Sequence, residues 1–429
     1  MKNILYNINK NGLPVIPVLS PCPESDETTG RQTGFSRALY LSVLALVAAI
    51  TGILLAKAIS WITGMITSWV FYGNNHIETT SPANHNLNAA VILIPVAGAL
   101  LFVFITRHTS PFLKALATTI GIGTGAPMGI ESPVMMAGGA LGAWIGKLFR
   151  LTPTENYILF VAGVCSGMSW LFGAPLAAIF LALEVLLTEW TLCSILPVIM
   201  GSAVGAVSCY FFRGADPVYN MTDGPAGNLI AIVAYTAAGL LIGLLSVLII
   251  KSSGVIQQLF EKLTGYSKWF ILLAALVVGI TGYYAPETLG DGNSYINDLL
   301  HAHVTLSLLF MLSVMKLVSW LFFSGGNQTG SGITPVLIIG GAIGLLIGVI
   351  IQLAFPSVVI NSAVAVLIGM SAMFAGTSRA LLTAVIFAVE ITHHTDAALP
   401  LSCACLAAYS SSFFLLKKKR KADERFALS

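Results

Sequence analysis

Between residues 37 and 416 the chain is a succession of apolar runs separated by short polar breaks, and this patterning constrains it more than any single motif. The runs 37–72, 88–106, 228–250, 303–323 and 335–355 are each long enough to cross a bilayer, for which a helix needs about 20 apolar residues. Only 9% of the residues are charged, against roughly 25% in a soluble domain. A water-soluble globule of this make-up would lack the charged surface that keeps it in solution. Soluble, nucleic-acid-binding and disordered classes are therefore excluded. What is left is a polytopic membrane protein whose solvent is the lipid bilayer, with room for on the order of a dozen helices. The formal net charge of +3 is too small to point to a polyanionic partner.

The ends differ in character. Residues 1–36 are polar, with Pro14, Pro17, Pro21 and Pro23, and read as a loose N-terminal tail on the cytoplasmic side. No charged start leads into an unbroken apolar core, so no signal peptide is expected. Residues 417–429 open on the basic cluster KKKRK, which the positive-inside rule places in the cytoplasm. The transmembrane domain between them, 37–416, divides into halves of 37–215 and 228–416. Cys22, Cys165, Cys193, Cys209, Cys403 and Cys405 form no CxxC pair, and Cys403 and Cys405 fall on different helix faces. They read as small core residues, and no metal site or cofactor is expected.

Segments 112–122, 134–149 and 174–187 are shorter and broken by Gly or Pro. Broken helices survive at membrane depth only where they line a cavity or are buried in protein, which is the signature of a transporter. An internal repeat points the same way. Glu131-Ser-Pro-Val-Met-Met-Ala-Gly-Gly-Ala-Leu-Gly142 aligns with Ile333-Thr-Pro-Val-Leu-Ile-Ile-Gly-Gly-Ala-Ile-Gly344. A second pair, Ala178-Ile-Phe-Leu-Ala-Leu-Glu184-Val and Ala384-Val-Ile-Phe-Ala-Val-Glu390-Ile, follows in the same order. A duplicated membrane domain places its substrate site where the halves meet, near the midplane.

Each first block is a loop of Gly, Ser and Thr running into a helix whose first turn suits Pro133 or Pro335. A helix N-terminus carries unpaired N–H donors and about half a positive charge. Two such ends facing each other would cradle an anion without a full positive charge, and so without holding it too tightly to leave. Glu131 sits at the head of the first helix. Its carboxylate either occupies the anion's own place as a displaceable gate or simply caps its own helix, and the residues alone leave both open.

These residues resemble the CLC family of chloride channels and proton-coupled chloride antiporters. Gly129-Ile-Glu131-Ser-Pro133 resembles the family's Gly-Lys/Arg-Glu-Gly-Pro loop, and Gly330-Ser-Gly-Ile333-Thr-Pro335 its Gly-x-Phe-x-Pro loop. Phe172-Gly-Ala-Pro-Leu-Ala-Ala-Ile-Phe-Leu-Ala-Leu-Glu184 is similar to its Asn-Ala-Pro-Leu-Ala-Gly helix, and Pro286-Glu-Thr-Leu-Gly-Asp-Gly to its Pro-x-x-x-Gly-x-Gly loop. The resemblance implies an all-α polytopic membrane protein, with two inverted-topology repeats whose broken helices meet at a midplane anion site. It implies a homodimer with a pore in each subunit, located in the cell inner (plasma) membrane. It makes Glu131 the gate, and Gly129, Ile130, Glu131, Ser132, Gly332, Ile333 and Thr334 the anion-binding loops.

The departures are as informative. Ile130 stands where the family has a basic residue, Ser132 where it has Gly, and Ile333 where it has Phe. The family's Gly-Ser-Gly-Ile-Pro loop has no match, and Ser110 or Thr109 is only a candidate to replace its serine. The family's inner Tyr is also missing, with Lys421 at about its place. Val185 follows Glu184 where the family's antiporters carry a proton-relaying Glu. The expected function is therefore transport of a small inorganic anion, chloride first, with passive, channel-like conduction favoured. The alternative is a proton-coupled exchanger of chloride, fluoride or nitrate.

Glu184 and Glu390 are expected to bond to backbone at broken-helix junctions, and Lys316 to snorkel or pair with an acid. His108, His301, His303, His393 and His394 lie at segment ends, as interfacial His does. The rival class is an intramembrane hydrolase. It would need HExxH, a Ser–His pair or paired aspartates within helices, and Asp291 has no such partner, so no enzyme activity is expected.

Overall fold

A computed structural model describes residues 34–73, 81–106, 110–187, 189–221, 228–264, 270–326 and 332–426, with backbone alone at 260–264, 270, 326 and 417–426. The N-terminal tail to residue 33, His108, Thr109, Gly330, Ser331 and the Lys421 side chain lie outside the described residues.

Every regular element among the described residues is helical. The first half contains α1 (Phe35–Tyr72), α2 (Leu93–Ile105), α3 (Pro111–Gly123), α4 (Glu131–Leu148), α5 (Pro153–Phe172), α6 (Pro175–Leu181) and α7 (Leu192–Arg213). The second contains α8 (Leu229–Thr264), α9 (Phe270–Tyr284), α10 (Ser294–Leu300), α11 (Leu306–Phe310), α12 (Lys316–Gly326), α13 (Thr334–Ala354), α14 (Ser362–Ser378), α15 (Leu381–Thr392) and α16 (Ala398–Phe426). One π turn, Ala182–Leu186, follows α6, and another, Met311–Met315, joins α11 to α12.

Seven helical stretches among the described residues are long and apolar enough to cross a bilayer: Phe35–Tyr72, Asn88–Ile105, Leu192–Arg213, Leu229–Leu259, Leu306–Gly325, Thr334–Ala354 and Thr395–Leu416. At about 1.5 Å per residue, α1 is roughly 57 Å long, almost twice a hydrocarbon core of about 30 Å, so it crosses obliquely or projects beyond it. By the same rule α6 spans only about 10 Å before it runs on into the π turn that ends at Leu186, still too short to cross a bilayer. Leu54, Trp69, Val207, Phe211, Leu229 and Phe414 are exposed on the outside of the bundle, the apolar surface a lipid-facing protein presents.

The two halves pack alike. A Cβ on Gly138 of α4 would lie 2.5 Å from the Gly163 carbonyl oxygen in α5, and a Cβ on Gly163 would lie 2.2 Å from the Gly138 oxygen. Gly340 of α13 and Gly369 of α14 repeat this crossing, with the same 2.5 Å and 2.2 Å. Each helix pair thus meets backbone to backbone, which only glycine permits.

The break after α6 is tied to the break before α15. Glu184 accepts hydrogen bonds from the Leu382 N–H (3.0 Å), the Thr383 N–H (2.9 Å) and the Thr383 hydroxyl (2.6 Å) at the head of α15. Glu390, in α15, accepts from the Leu176 N–H (2.9 Å) and the Ala177 N–H (2.7 Å) at the head of α6. Each carboxylate caps the other helix, so α6 and α15 run antiparallel, as inverted repeats require. Both acids thereby take the structural role expected of them.

At one end of the bundle Glu155 joins two elements. It completes the capping box of α5 with Thr152 and forms a two-pronged ion pair with Arg37 of α1, at 2.6 and 2.9 Å.

Candidate anion site

α3 ends at Gly123, and residues 124–130 turn the chain into α4. Glu131, the first residue of α4, is 1% exposed. Its carboxylate reaches across to the other repeat. It accepts hydrogen bonds from the Ile333 N–H, from the Thr334 N–H at 2.7 Å and from the Thr334 hydroxyl at 3.0 Å. These donors open α13, where backbone amides are not spent within the helix and the helix dipole is positive. A buried carboxylate is tolerated only with such charge-assisted bonds. Glu131 is thus more than the cap of α4: it holds an acidic group between the two helix N-termini that the repeat relates.

Two glycines shape the seat. A Cβ on Gly129 would fall 1.8 Å from Glu131 Oε2 and 2.1 Å from Oε1, so the carboxylate lies folded against bare backbone. Gly332, at φ +75°, leaves a similar opening on the α13 side, where a Cβ would lie 3.1 Å from Oε1. Ile130 is half-buried at the N-cap of α4, and Ile333 is fully buried with its amide on the carboxylate. Ser132 is 1% exposed, and its Oγ has no hydrogen-bond partner among the described residues.

Ser110 is placed elsewhere. It is the N-cap of α3, a helix of 13 residues or about 20 Å, which lies between it and the loop leading to Glu131. None of the donors on the carboxylate comes from Ser110. The hydroxyl beside the acid belongs to Thr334, in the other half of the chain.

One wall is built by residues 286–293. The Gly290 N–H donates to the Gly125 carbonyl at 3.0 Å, tying this segment to the Glu131 loop. Lys316 of α12 is fully buried, and its ammonium donates to the Thr288 and Gly290 carbonyls, both at 3.4 Å. Its burial and these two bonds place the ammonium inside the protein, so the lysine does not snorkel. Tyr219, on the connection after α7, donates its hydroxyl to Asn293 Oδ1, and its N–H to the Ile391 carbonyl at 3.1 Å. Burial pushes the Tyr219 phenol up, and the Glu131 and Asp291 carboxylates add to that, so it remains a proton donor.

Sequence reasoning did not single out Tyr219 or Asn293. The one signal for Tyr219 is an aromatic residue in an otherwise polar connection, and that signal is weak.

Residues 105–412 match the family described as Voltage gated chloride channel. The chain belongs to this family, the CLC family. Among curated relatives, the H(+)/Cl(−) exchange transporter ClcA of Vibrio cholerae serotype O1 (strain M66-2) is 29% identical over 294 residues. That match covers 67% of this chain and 63% of the relative, so it spans less than two thirds of the relative's length. The transporter of the same name from Salmonella paratyphi B is 24% identical over 409 residues, covering 88% of this chain and 85% of the relative.

A solved structure of a slow cyanobacterial Cl−/H+ antiporter superposes with a TM-score of 0.73 at 21% identity, covering 89% of this chain and 98% of that one. A CLC-type fluoride/proton antiporter gives 0.66 at 18% identity, covering 89% and 97%. This CLC protein therefore has the family's all-helical, multi-pass membrane fold.

Proposed function

We propose that this CLC protein moves a small inorganic anion, chloride first, across a membrane in exchange for protons. The observation that carries the reading is the seat of Glu131: a carboxylate from one repeat held by the unpaired helix donors of the other. A free anion and this carboxylate compete for the same donors. Protonation removes the carboxylate's charge and with it the charge-assisted part of its bonds, so the side chain leaves and the anion takes its place. Deprotonation reverses the exchange. Coupling arises because one set of donors serves two ligands in turn.

Passive conduction, the reading drawn from Val185, gives way to exchange. The curated relatives carry the name H(+)/Cl(−) exchange transporter, and the superposed structures are described as antiporters of chloride or fluoride with protons. Glu184 does not stand in as the inner relay, because its carboxylate caps α15. On this reading water, rather than a side chain at 185, carries protons between the cytoplasm and Glu131. The protein resides in the inner membrane with both termini cytoplasmic, as the basic cluster after Leu416 and the bacterial relatives support, and it pairs as a homodimer as the family resemblance implies.

The test is reconstitution into liposomes with an outward chloride gradient and a pH electrode outside. Exchange predicts uphill proton uptake driven by the gradient. Chloride efflux without proton movement returns the protein to passive conduction.

A further inference from the structure

The family resemblance calls for a serine loop that this chain lacks, and Ser110 does not reach the carboxylate. Something else must complete the coordination of an anion that the amides of Ile333 and Thr334 begin. The heads of α4 and α13 have a gap in common. Pro133 and Pro335 have no N–H, so each helix is short of one N-terminal donor where an anion would sit. In both repeats the residue directly before that proline carries a hydroxyl: Ser132 in the first half and Thr334 in the second. A hydroxyl supplies an O–H donor without a full charge, as a site that must release its ligand requires.

The structure treats the two hydroxyls differently. Thr334 Oγ1, 3% exposed at the residue level, donates to Glu131 Oε2 at 3.0 Å, and that carboxylate oxygen stands in for an anion. Ser132 Oγ is buried and makes no hydrogen bond among the described residues. A buried hydroxyl without a partner is destabilising unless a ligand satisfies it. Ser132 is also the departure from the family's first loop that adds a donor rather than removing one, since the family has Gly there.

We propose that Ser132 and Thr334 are side-chain ligands of the transported anion, one hydroxyl from each repeat, replacing the serine loop. This rests on the anion-exchange reading above and adds to it the groups that bind the anion once Glu131 has left. Thr334 passes its O–H from the carboxylate to the incoming halide, and Ser132 gains the partner it lacks. The pair makes the anion seat symmetric about the interface between the repeats, although the gate is carried by one half alone.

The test is isothermal titration of sodium chloride into full-length, detergent-purified Glu131→Ala protein, in which the tethered competitor is absent. Ser132→Ala, Thr334→Val and Thr334→Ser are then added singly to that parent. Ser132→Ala and Thr334→Val should each weaken chloride about tenfold, equivalent to about 1.4 kcal/mol. Thr334→Ser, which keeps the hydroxyl, should stay within about twofold of the parent. Should Thr334→Val not yield folded protein, Thr334→Ala carries the same comparison. Affinities unchanged in both Ser132→Ala and Thr334→Val overturn the proposal, and an unchanged Ser132→Ala alone strikes Ser132 from the ligand set. A parent that binds neither chloride, bromide, fluoride nor nitrate overturns the anion reading itself, and that failure shows before any hydroxyl is touched.

Discussion

Adding one methyl group at Gly129 should close the seat to the Glu131 carboxylate and to an anion alike, with Glu131 itself unchanged. The backbone at 129 does not adopt a positive φ, so alanine is sterically acceptable to the chain itself. The conflict is with the gate: the new Cβ would stand 1.8 Å from Glu131 Oε2, 2.1 Å from Oε1 and 2.2 Å from Cδ. Ordinary contact needs about 3.5 Å, so the carboxylate must retreat by roughly 1.5 Å. Bonds of 2.7 and 3.0 Å to the Thr334 N–H and hydroxyl do not survive that displacement. Hydrogen bonds to a charged group are worth about 1.5–3 kcal/mol each, so losing two or three amounts to on the order of 5 kcal/mol. A shift from 99:1 to 1:99 needs about 5.5 kcal/mol, so the seat changes from mostly filled to mostly empty. In liposomes, Gly129→Ala protein should pass chloride more slowly than the wild type and with weakened proton coupling. In calorimetry it should bind chloride more weakly than the wild type, because a chloride ion in the same seat also needs about 3.5 Å from the new Cβ. A Gly129→Ala protein with wild-type chloride flux and wild-type chloride affinity would show that the carboxylate and the anion do not share this seat.

Glu131→Gln, which mimics the protonated acid, should keep anion flux but lose both its dependence on external pH and its coupling to protons, as read in the same liposome assay. Ile333→Phe should leave chloride binding largely intact, because position 333 contributes its amide. Ile333→Asp should abolish binding, because a second negative charge in a poorly solvated seat costs several kcal/mol at roughly ε 20. Calorimetry on both variants checks this, and equal tolerance removes the loop from the pathway. Glu184→Ala, which loses three bonds to α15, should lower thermal stability more than Glu390→Ala, which loses two to α6. Each change should cost about 1–2 kcal/mol, read as the midpoint of thermal unfolding in detergent.

The sequence reveals the membrane class and the duplication because both are written in local pattern. Apolar runs give away α1, α8 and α13, and the paired Gly-Gly-Ala blocks mark α4 and α13 as repeats. Leu192–Arg213 is a spanning helix that the run of apolar residues conceals, since Pro197, Gly201 and Gly205 interrupt it. The seat of Glu131 is legible for the same local reason: a glycine-rich turn before a proline-headed helix leaves free amides. Which donors an acid reaches is a different kind of fact. Glu131 bonds to residues 202 and 203 positions away, and Glu184 to residues 198 and 199 positions away, and no local pattern encodes such distances. The same blindness left open what replaces the missing serine, although Thr334 stands in a loop the sequence already singles out. It left Tyr219 unnoticed, because its partner Asn293 lies 74 residues on. Val185 carries less weight for a different reason: a missing side chain says nothing about water, which also carries protons.

The mechanism depends on whether an anion and the Glu131 carboxylate use one seat. The direct measurement is a crystal structure of Glu131→Ala protein grown with bromide, located by its anomalous scattering. A shared seat predicts a bromide peak in the space the carboxylate leaves, within hydrogen-bonding reach of the Ile333 and Thr334 N–H groups and the Thr334 hydroxyl. A seat that stays empty while bromide binds elsewhere in the protein would contradict it.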